Sequence, residues 1–395
     1  MTTSVSSVFS AVLDPVNRHD PYPLYTALRR TPVGVETDGT YVVSTFREIS
    51  ALLHDPRVSS VDRDEAAGDS AASDDIHRLV GLPPSFLRQD PPGHDRMRRL
   101  AMRPFGPPHS PHRVADLQPS LEDIAAGLIS EFPSPTVDLV DQFAYPLPVR
   151  VICTLLGVPL ADEPRFRAWI DAALTAVIPD RGALGDLAHY LGDLVDRRMA
   201  EPGDDMLSAL ATDDGPDGRM TRAELVSTAM LLLIAGHETT VNLIANGSLI
   251  LLRQPLWLER MLADPGLVVP FVEEVLRFDP PVQMLTWRRA LADIPIGGTT
   301  IPKGAAITLV LASGNRDPEH FTDPDRFDPD RRQVQHLGFG DGIHYCYGAP
   351  LARLEAQLAL QALAPALSGA RLLEDPPEYR ISAVLRGPRH LRVTL

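Results

Sequence analysis

The sequence predicts a mainly α protein, a large helical part built around one long central helix, with small β-sheets. Three observations carry this. From about residue 112 to 200 apolar residues recur at helical spacing, interrupted only near Pro or Gly as in GVPLADEP and IPDRG. The run MTRAELVSTAMLLLIAGHETTVNLIANGSLILLR is apolar on most of both faces, the pattern of a buried helix. Period-two alternation is confined to short runs such as GTYVVST and TWRRALADIPIGGTTIPKGAAITLVL.

Taken in order, PYPLYTALRR reads as a helix and GTYVVST as a strand bounded by turn residues. Residues 61–92 are rich in Asp, Ser, Ala and Pro and read as a long loop. GHDRMRRLAMRPF opens a basic helix. Thr221 and Glu224 have the spacing of a capping box at the start of the central helix. PGLVVPFVEEVLRFD is a further helix that stops before Pro280-Pro281, and the final RISAVLRGPRHLRVTL reads as a β-hairpin. Neither a low-complexity linker nor a repeat divides the chain, so residues 1–395 are expected to form a single domain.

Composition removes several functions. A formal charge of −15 argues against nucleic acid as a partner. Lys303 is the only lysine, and its turn-like IPKG setting fits neither a phosphate-binding P-loop nor a Schiff base. No apolar run reaches the ~18–20 residues of a membrane span, and the N-terminus has no basic segment ahead of an apolar one, as a secretory signal would. Two cysteines, Cys153 and Cys346, make no disulfide framework. A cytoplasmic protein with no membrane attachment is the simplest reading.

The chemistry concentrates in GFGDGIHYCYG, Gly338 to Gly348. Cys346 stands just ahead of an apolar-periodic helix marked by Leu351, Leu354 and Leu358, where the helix dipole favours a thiolate. Glycines let backbone approach a flat ligand or the sulfur itself. An inert buried thiol is the competing reading. A zinc site lacks further soft ligands, and no G-x-G-x-x-G register fits a phosphate loop. In AGHETT, His237-Glu238 begins the zinc-protease pattern H-E-x-x-H, but its fifth position is Val241. A charged Glu238 in so apolar a helix is costly without a role. Glu274 and Arg277 in EEVLR are i,i+3 neighbours, as a solvated surface pair would be. His94 and Arg98 in HDRMR share a helix face.

Phe339 to Gly348 resembles the haem-binding loop of the cytochrome P450 monooxygenases, F-G-x-G-x-H-x-C-x-G. AGHETT resembles that family's A/G-G-x-D/E-T-T motif and EEVLR its E-x-x-R, and the likeness runs almost end to end. It implies haem b (iron protoporphyrin IX) with Cys346 as axial thiolate. Phe339, Gly340, His344 and Gly348 then belong to the haem-binding loop, and His94, Arg98, Arg288 and His344 meet the haem carboxylates, with Arg289 as the alternative to Arg288. Glu238 and Thr239 become an acid–alcohol pair relaying protons to dioxygen. Glu274, Arg277 and Arg326 become a buried structural network. The implied reaction inserts one oxygen atom of O₂ into a lipophilic small molecule, by hydroxylation or epoxidation, in bacterial secondary metabolism. Leu231, Ala235, Val282, Met284, Leu285 and Val384 are the candidate substrate wall, with residues 61–92 as a lid. The chain carries no flavin or nicotinamide fingerprint, so electrons are expected from a ferredoxin and its reductase. Arg96, Arg99, Arg103 and Arg353 are expected to form a basic docking patch on a monomer. The alternatives are a peroxygenase, an oxidative-coupling enzyme or a non-catalytic haem module on the same fold.

Overall fold

The computed structural model describes residues 5–61, 76–106, 109–133, 135–174 and 180–395. The loop expected over residues 61–92 therefore lies in part, at 62–75, outside the described residues. The chain forms two compact units. One comprises Met1–Ser59, Glu122–Tyr145 and Thr239–Leu395, and the other Ser60–Leu121 and Pro146–Glu238.

The first unit holds the sheets. Its five-stranded sheet runs in the order Val33–Val35, Tyr41–Val43, Ala306–Leu309, Leu285–Ala290 and Val58–Ser59. Tyr41–Val43 pairs parallel with Ala306–Leu309, and the other pairings are antiparallel. Val43, Ile307 and Leu309 on this sheet pack with Phe46, Ile49 and Leu52 of the helix Phe46–His54. Ile294–Ile296 and Thr299–Ile301 form a two-stranded hairpin. Its turn is Gly297-Gly298, with φ of 56° and 78°, the left-handed pair that a two-residue hairpin of this hand requires.

The C-terminal segment corrects the expected hairpin. Arg392–Thr394 pairs with Thr136–Asp138 and with Arg371–Leu372, in a three-stranded sheet. Residues 380–391 contribute only isolated bridges, Tyr379 to Pro388 and Val282 to Leu385. Asp138 is the reason the strand joins the distant partner: its Oδ1 accepts the Leu391 N–H at 3.0 Å and its Oδ2 lies 2.7 Å from His390 Nδ1.

The helix Val268–Phe278 buries Val268, Phe271, Val272, Val275 and Leu276, an i, i+3, i+4, i+7, i+8 stripe. Each such side chain contributes roughly 1.5–3 kcal/mol on burial. The central helix is Arg222–Arg253, 32 residues long. By length and composition it could cross a membrane, which the sequence reading did not anticipate. However, 78% of its most apolar window is buried inside the protein, so it is a core helix. The expected capping box is formed. The Thr221 N–H donates to Glu224 Oε2 at 2.7 Å, and the Glu224 N–H donates to Thr221 Oγ1 at 3.2 Å.

The second unit is helical: Gly93–Met102, Pro146–Leu156, Glu163–Leu174, Arg181–Ala200, Met206–Thr212 and the first half of the central helix. Asp180 and Asp205 cap two of these, accepting from Gly182 N and Ser208 N at 2.8 Å each.

Candidate active site

The loop ahead of Cys346 is held by close backbone approaches. At Gly342, φ is 67° and a Cβ would come within 2.1 Å of Leu53 O. At Gly338 a Cβ would lie 2.6 Å from Leu276 O. The Cys346 N–H donates to Phe339 O at 2.9 Å, closing the turn. Asp341 caps the short helical turn Gly342–His344 and accepts from Ser50 Oγ at 3.0 Å. The helix Ala349–Leu367 then starts from Gly348. Cys346 is half-buried, whereas Cys153 is fully buried and its thiol is pushed up to about 12 by burial and by nearby Glu163 and Asp162. Only Cys346 therefore has the setting of a usable thiolate.

The loop is braced from behind. Arg353, one turn into the following helix, donates from Nε to Glu273 Oε1 at 2.6 Å and from Nη1 to Tyr345 Oη at 3.2 Å. Its guanidinium also lies 4.6 Å from the Phe339 ring centroid. Glu273 is within 3.2 Å of His336 Nε2 as well. Burial acts to raise the Glu273 carboxyl, but the hydrogen bonds from His336 and Arg353 outweigh it and hold the group at about 2.

Glu355 lies on the same helix, 3% exposed, and burial alone pushes its carboxyl well above the ordinary glutamate value. A raised acid is favourable below the unfolded-state pKa, and its contribution is lost as pH climbs toward the folded-state value. Glu355→Gln should therefore raise the melting temperature relative to wild type at neutral pH, with the difference shrinking toward pH ~4. Melting curves across that range check this; a difference independent of pH would contradict it.

Glu274 and Arg277 form a buried pair, 4% and 1% exposed, not a solvated one. Arg277 Nε and Nη2 reach the two Glu274 oxygens at 2.8 Å each. Arg277 also donates to Asn315 O at 2.9 Å, Pro324 O at 2.8 Å and Arg326 O at 3.1 Å. The third guanidinium corrects the sequence reading. The Arg326 side chain is 67% exposed and pairs with Asp328 at 3.6 Å, so this residue enters the network through its carbonyl alone. Arg331 takes the expected place: its side chain is 9% exposed and its Nε lies 3.5 Å from Glu274 Oε1. The signal that could have found it is the repeat D-P-D-R, which ends once at Arg326 and again at Arg331.

On the central helix Glu238 is 4% exposed and Thr239 is half-buried. Ala235, one turn before Thr239, is exposed, although residues 225–233 and 240–251 are almost all buried. The buried stretch of the helix is thus interrupted at small residues beside Glu238 and Thr239. Leu231 is 8% exposed.

The anion-binding candidates divide by burial. His94 is 2% exposed on Gly93–Met102, with Nδ1 2.8 Å from Asp95 Oδ1, and Arg98 is half-buried on the same helix. In the first unit Arg288 is 4% exposed, while Arg289 Nη1 donates to Gly304 O at 3.3 Å on an exposed edge. Arg288 is thus the buried one of the two. His344 is half-buried. Among the wall candidates Val282, Leu285 and Val384 are partly exposed, but Met284 is fully buried in a cluster with Tyr25, Val42 and Val310. Met284 is core.

The basic patch is not a set of open cations. Arg96 reaches Glu224 at 2.7 Å, Arg99 reaches Asp217 at 2.9 Å and Arg103 reaches Asp213 at 2.8 Å. In the first unit Arg353 is committed to Glu273. Each arginine is neutralised by a carboxylate that the local sequence does not display.

A haem fits these residues. At Gly340 and Gly348 a Cβ would meet nothing within 4 Å, so the loop carrying Cys346 presents two bare faces to open space. One thiolate-forming sulfur, arginines and histidines suited to carboxylates, and an acid–alcohol pair are the donor set of a haem-thiolate protein. Comparison with known proteins agrees. The Cytochrome P450 family model matches residues 259–364. Cytochrome P450 monooxygenase PikC of Streptomyces venezuelae is 41% identical over 87% of this chain and 83% of its own. The 6-deoxyerythronolide B hydroxylase of Saccharopolyspora erythraea is 38% identical over 95% and 96%. The crystal structure of ligand-free Mycobacterium smegmatis CYP164A2 superposes with a TM-score of 0.85 at 40% identity, covering 99% of this chain and all of that one. The chain belongs to the cytochrome P450 family. It is a haem b monooxygenase of the bacterial type.

Proposed function

We propose that Cys346 supplies the axial thiolate and that His94, Arg98, Arg288 and His344 hold the haem carboxylates, with Phe339, Gly340 and Gly348 shaping the loop against the ring. The haem supplies dioxygen activation and transfer of one oxygen atom to the substrate. The chain's own residues set the conditions. A sulfur just ahead of a helix N-terminus is held as thiolate by the helix dipole. The Arg353–Glu273–His336 cluster keeps Phe339 and Tyr345 in place behind it. Glu238 takes a proton from solvent and passes it to the Thr239 hydroxyl, which donates toward dioxygen.

The observation that carries this is the break in burial at Ala235 and Thr239 on a packed helix, next to a buried glutamate. Leu231 and Ala235 in one unit, and Val282, Leu285 and Val384 in the other, are all apolar, which suits a lipophilic substrate of moderate size. A relative named for 6-deoxyerythronolide B supports a natural-product lipophile of bacterial secondary metabolism. Electrons come from a ferredoxin and its reductase, and the protein works as a soluble cytoplasmic monomer. The paired state of Arg96, Arg99 and Arg103 means that the ferredoxin meets a charge-balanced face there.

Thr239→Ala should cut product formed per dioxygen consumed by about tenfold or more while leaving substrate binding in place, since positioned proton transfer contributes factors of this order. Oxygen uptake measured beside product yield checks this, and an unchanged ratio would overturn the relay. The low-to-high-spin absorption shift on titrating a panel of lipophilic natural products identifies the substrate class.

A further inference from the structure

In the first unit, residues 281–283 and 384–386 run antiparallel. The Arg386 N–H donates to Pro281 O and the Gln283 N–H donates to Val384 O, each at 2.8 Å. Val282 and Leu385 are the bridged pair between these bonds. Bonds that flank a pair rather than join it set its two side chains on one face, at the closer of the two antiparallel spacings. Val282 and Leu385 are half-buried, whereas the next residues, Gln283 and Arg386, are 2% and 5% exposed and belong to the other face. One face of this short ladder thus offers an apolar pair, and the other is anchored.

The anchor is a single helix. Tyr22 and Tyr25 are i and i+3 on Tyr22–Leu28, their rings edge to face with centroids 5.7 Å apart. The Tyr25 hydroxyl donates to Gln283 Oε1 at 2.9 Å. The Tyr22 hydroxyl donates to Asp279 Oδ1 at 2.6 Å, and the same oxygen accepts from Arg386 Nε at 2.7 Å. The helix therefore reaches one strand through Gln283 and the other through Asp279 and Arg386. Gln283 is tied at each of its polar atoms. Besides the bonds to Tyr25 and Val384, its Nε2 donates to Pro280 O at 2.7 Å and its carbonyl accepts from the Ala312 N–H at 3.0 Å. A buried amide satisfied in this way is held in one orientation, and losing the Tyr25 hydroxyl would leave a buried acceptor bare.

We infer that Tyr25 and Gln283 are positioning residues for the specificity of the reaction. Their hydroxyl–amide bond fixes the height of the ladder over the helix, and with it how far Val282 and Leu385 stand toward the substrate. Both act from the buried side of the ladder. This rests on the reading of Val282 as a substrate-facing residue, and the experiment tells the two apart.

The holoenzymes of Tyr25→Phe, Gln283→Leu, the double variant, Val282→Ala and Ile301→Val are compared with wild type by titration with imidazole and with its C-phenyl derivative. Both ligands bind haem iron through a ring nitrogen, and only the phenyl group has to fit beside apolar side chains. The ratio of their dissociation constants therefore reads the position of those side chains. Val282→Ala should change the ratio by about tenfold, the effect of reshaping an apolar pocket by a methylene or two. Tyr25→Phe removes one oxygen and keeps the ring. It should change the ratio by about threefold or more with the affinity for imidazole itself unaltered, since small misplacements are felt strongly. Gln283→Leu should do the same, and the double variant should go no further than the larger single, because the two groups act as one unit. Ile301→Val, at a fully buried residue of the two-stranded hairpin, should lower the melting temperature and leave the ratio alone. An unchanged ratio in Tyr25→Phe, additive effects in the double variant, or an equal change in Ile301→Val overturns the inference. If Gln283→Leu does not fold, Tyr25→Phe set against Ile301→Val decides. An unchanged ratio in Val282→Ala shows instead that the substrate-facing reading itself has failed, and the inference falls with it.

Discussion

Arg277→Leu is expected to lose about 3–5 kcal/mol of stability, enough to leave much of the protein unable to retain haem at growth temperature. Glu274 and Arg277 share two hydrogen bonds at 2.8 Å in a setting where both are almost fully buried. Removing the guanidinium strands the Glu274 charge with the Asp328 N–H at 2.8 Å and Arg331 at 3.5 Å. It also leaves the carbonyls of Asn315, Pro324 and Arg326 without their donor. Those carbonyls belong to the segment leading into the cysteine loop, so loss of the pair should loosen that loop. Arg331→Leu should be damaging for the same reason, to a smaller degree. Arg326→Ala should cost no more than about 1 kcal/mol, because its exposed side chain makes only a surface pair with Asp328. Thermal and denaturant unfolding of the three holoenzymes checks the order. Arg326→Ala proving as harmful as Arg331→Leu would return the network to the sequence-based assignment.

Cys346→Ser is expected to abolish measurable monooxygenase turnover, a loss of at least about a thousandfold. Serine keeps the size and the position ahead of Ala349–Leu367 but offers an alcohol whose deprotonation the helix dipole cannot achieve at neutral pH. The loop's own bonds, Cys346 N–H to Phe339 O and the Asp341 cap, do not involve the sulfur, so the variant should fold. Cys153→Ala is the control. That thiol is fully buried and kept protonated, and its replacement should leave turnover per haem intact. Turnover per bound haem in the two variants checks this, and retained activity in Cys346→Ser would contradict it.

How much could be read beforehand depended on how far apart in the chain the interacting groups lie. The cysteine loop was legible because its glycines, cysteine and following helix are contiguous. The Thr221–Glu224 cap was legible because both partners sit within one turn. The arginine stripe was legible as a helix face but not as a charge-balanced one, since Asp213, Asp217 and Glu224 lie more than a hundred residues on. The C-terminal strand paired with Thr136–Asp138, which local alternation cannot reveal. Arg326 and Arg331 end identical D-P-D-R units, and only the fold decides which one turns inward. The adjacent glutamates of EEVLR serve two different networks, Glu273 bracing the loop and Glu274 buried with Arg277, which the one-dimensional pattern merges. Met284 sits in a run of pocket-like residues, yet just ahead of the strand Leu285–Ala290 it is buried with Tyr25, Val42 and Val310, which are distant in the chain.

The account stands on sulfur ligation at position 346, and the absorption spectrum of the purified protein, reduced and exposed to carbon monoxide, tests it most directly. The expected result is the long-wavelength Soret band diagnostic of thiolate-bound haem, present in wild type and in Cys153→Ala and absent from Cys346→Ser. A carbon monoxide complex lacking that band in the wild-type protein, or keeping it in Cys346→Ser, would contradict the assignment.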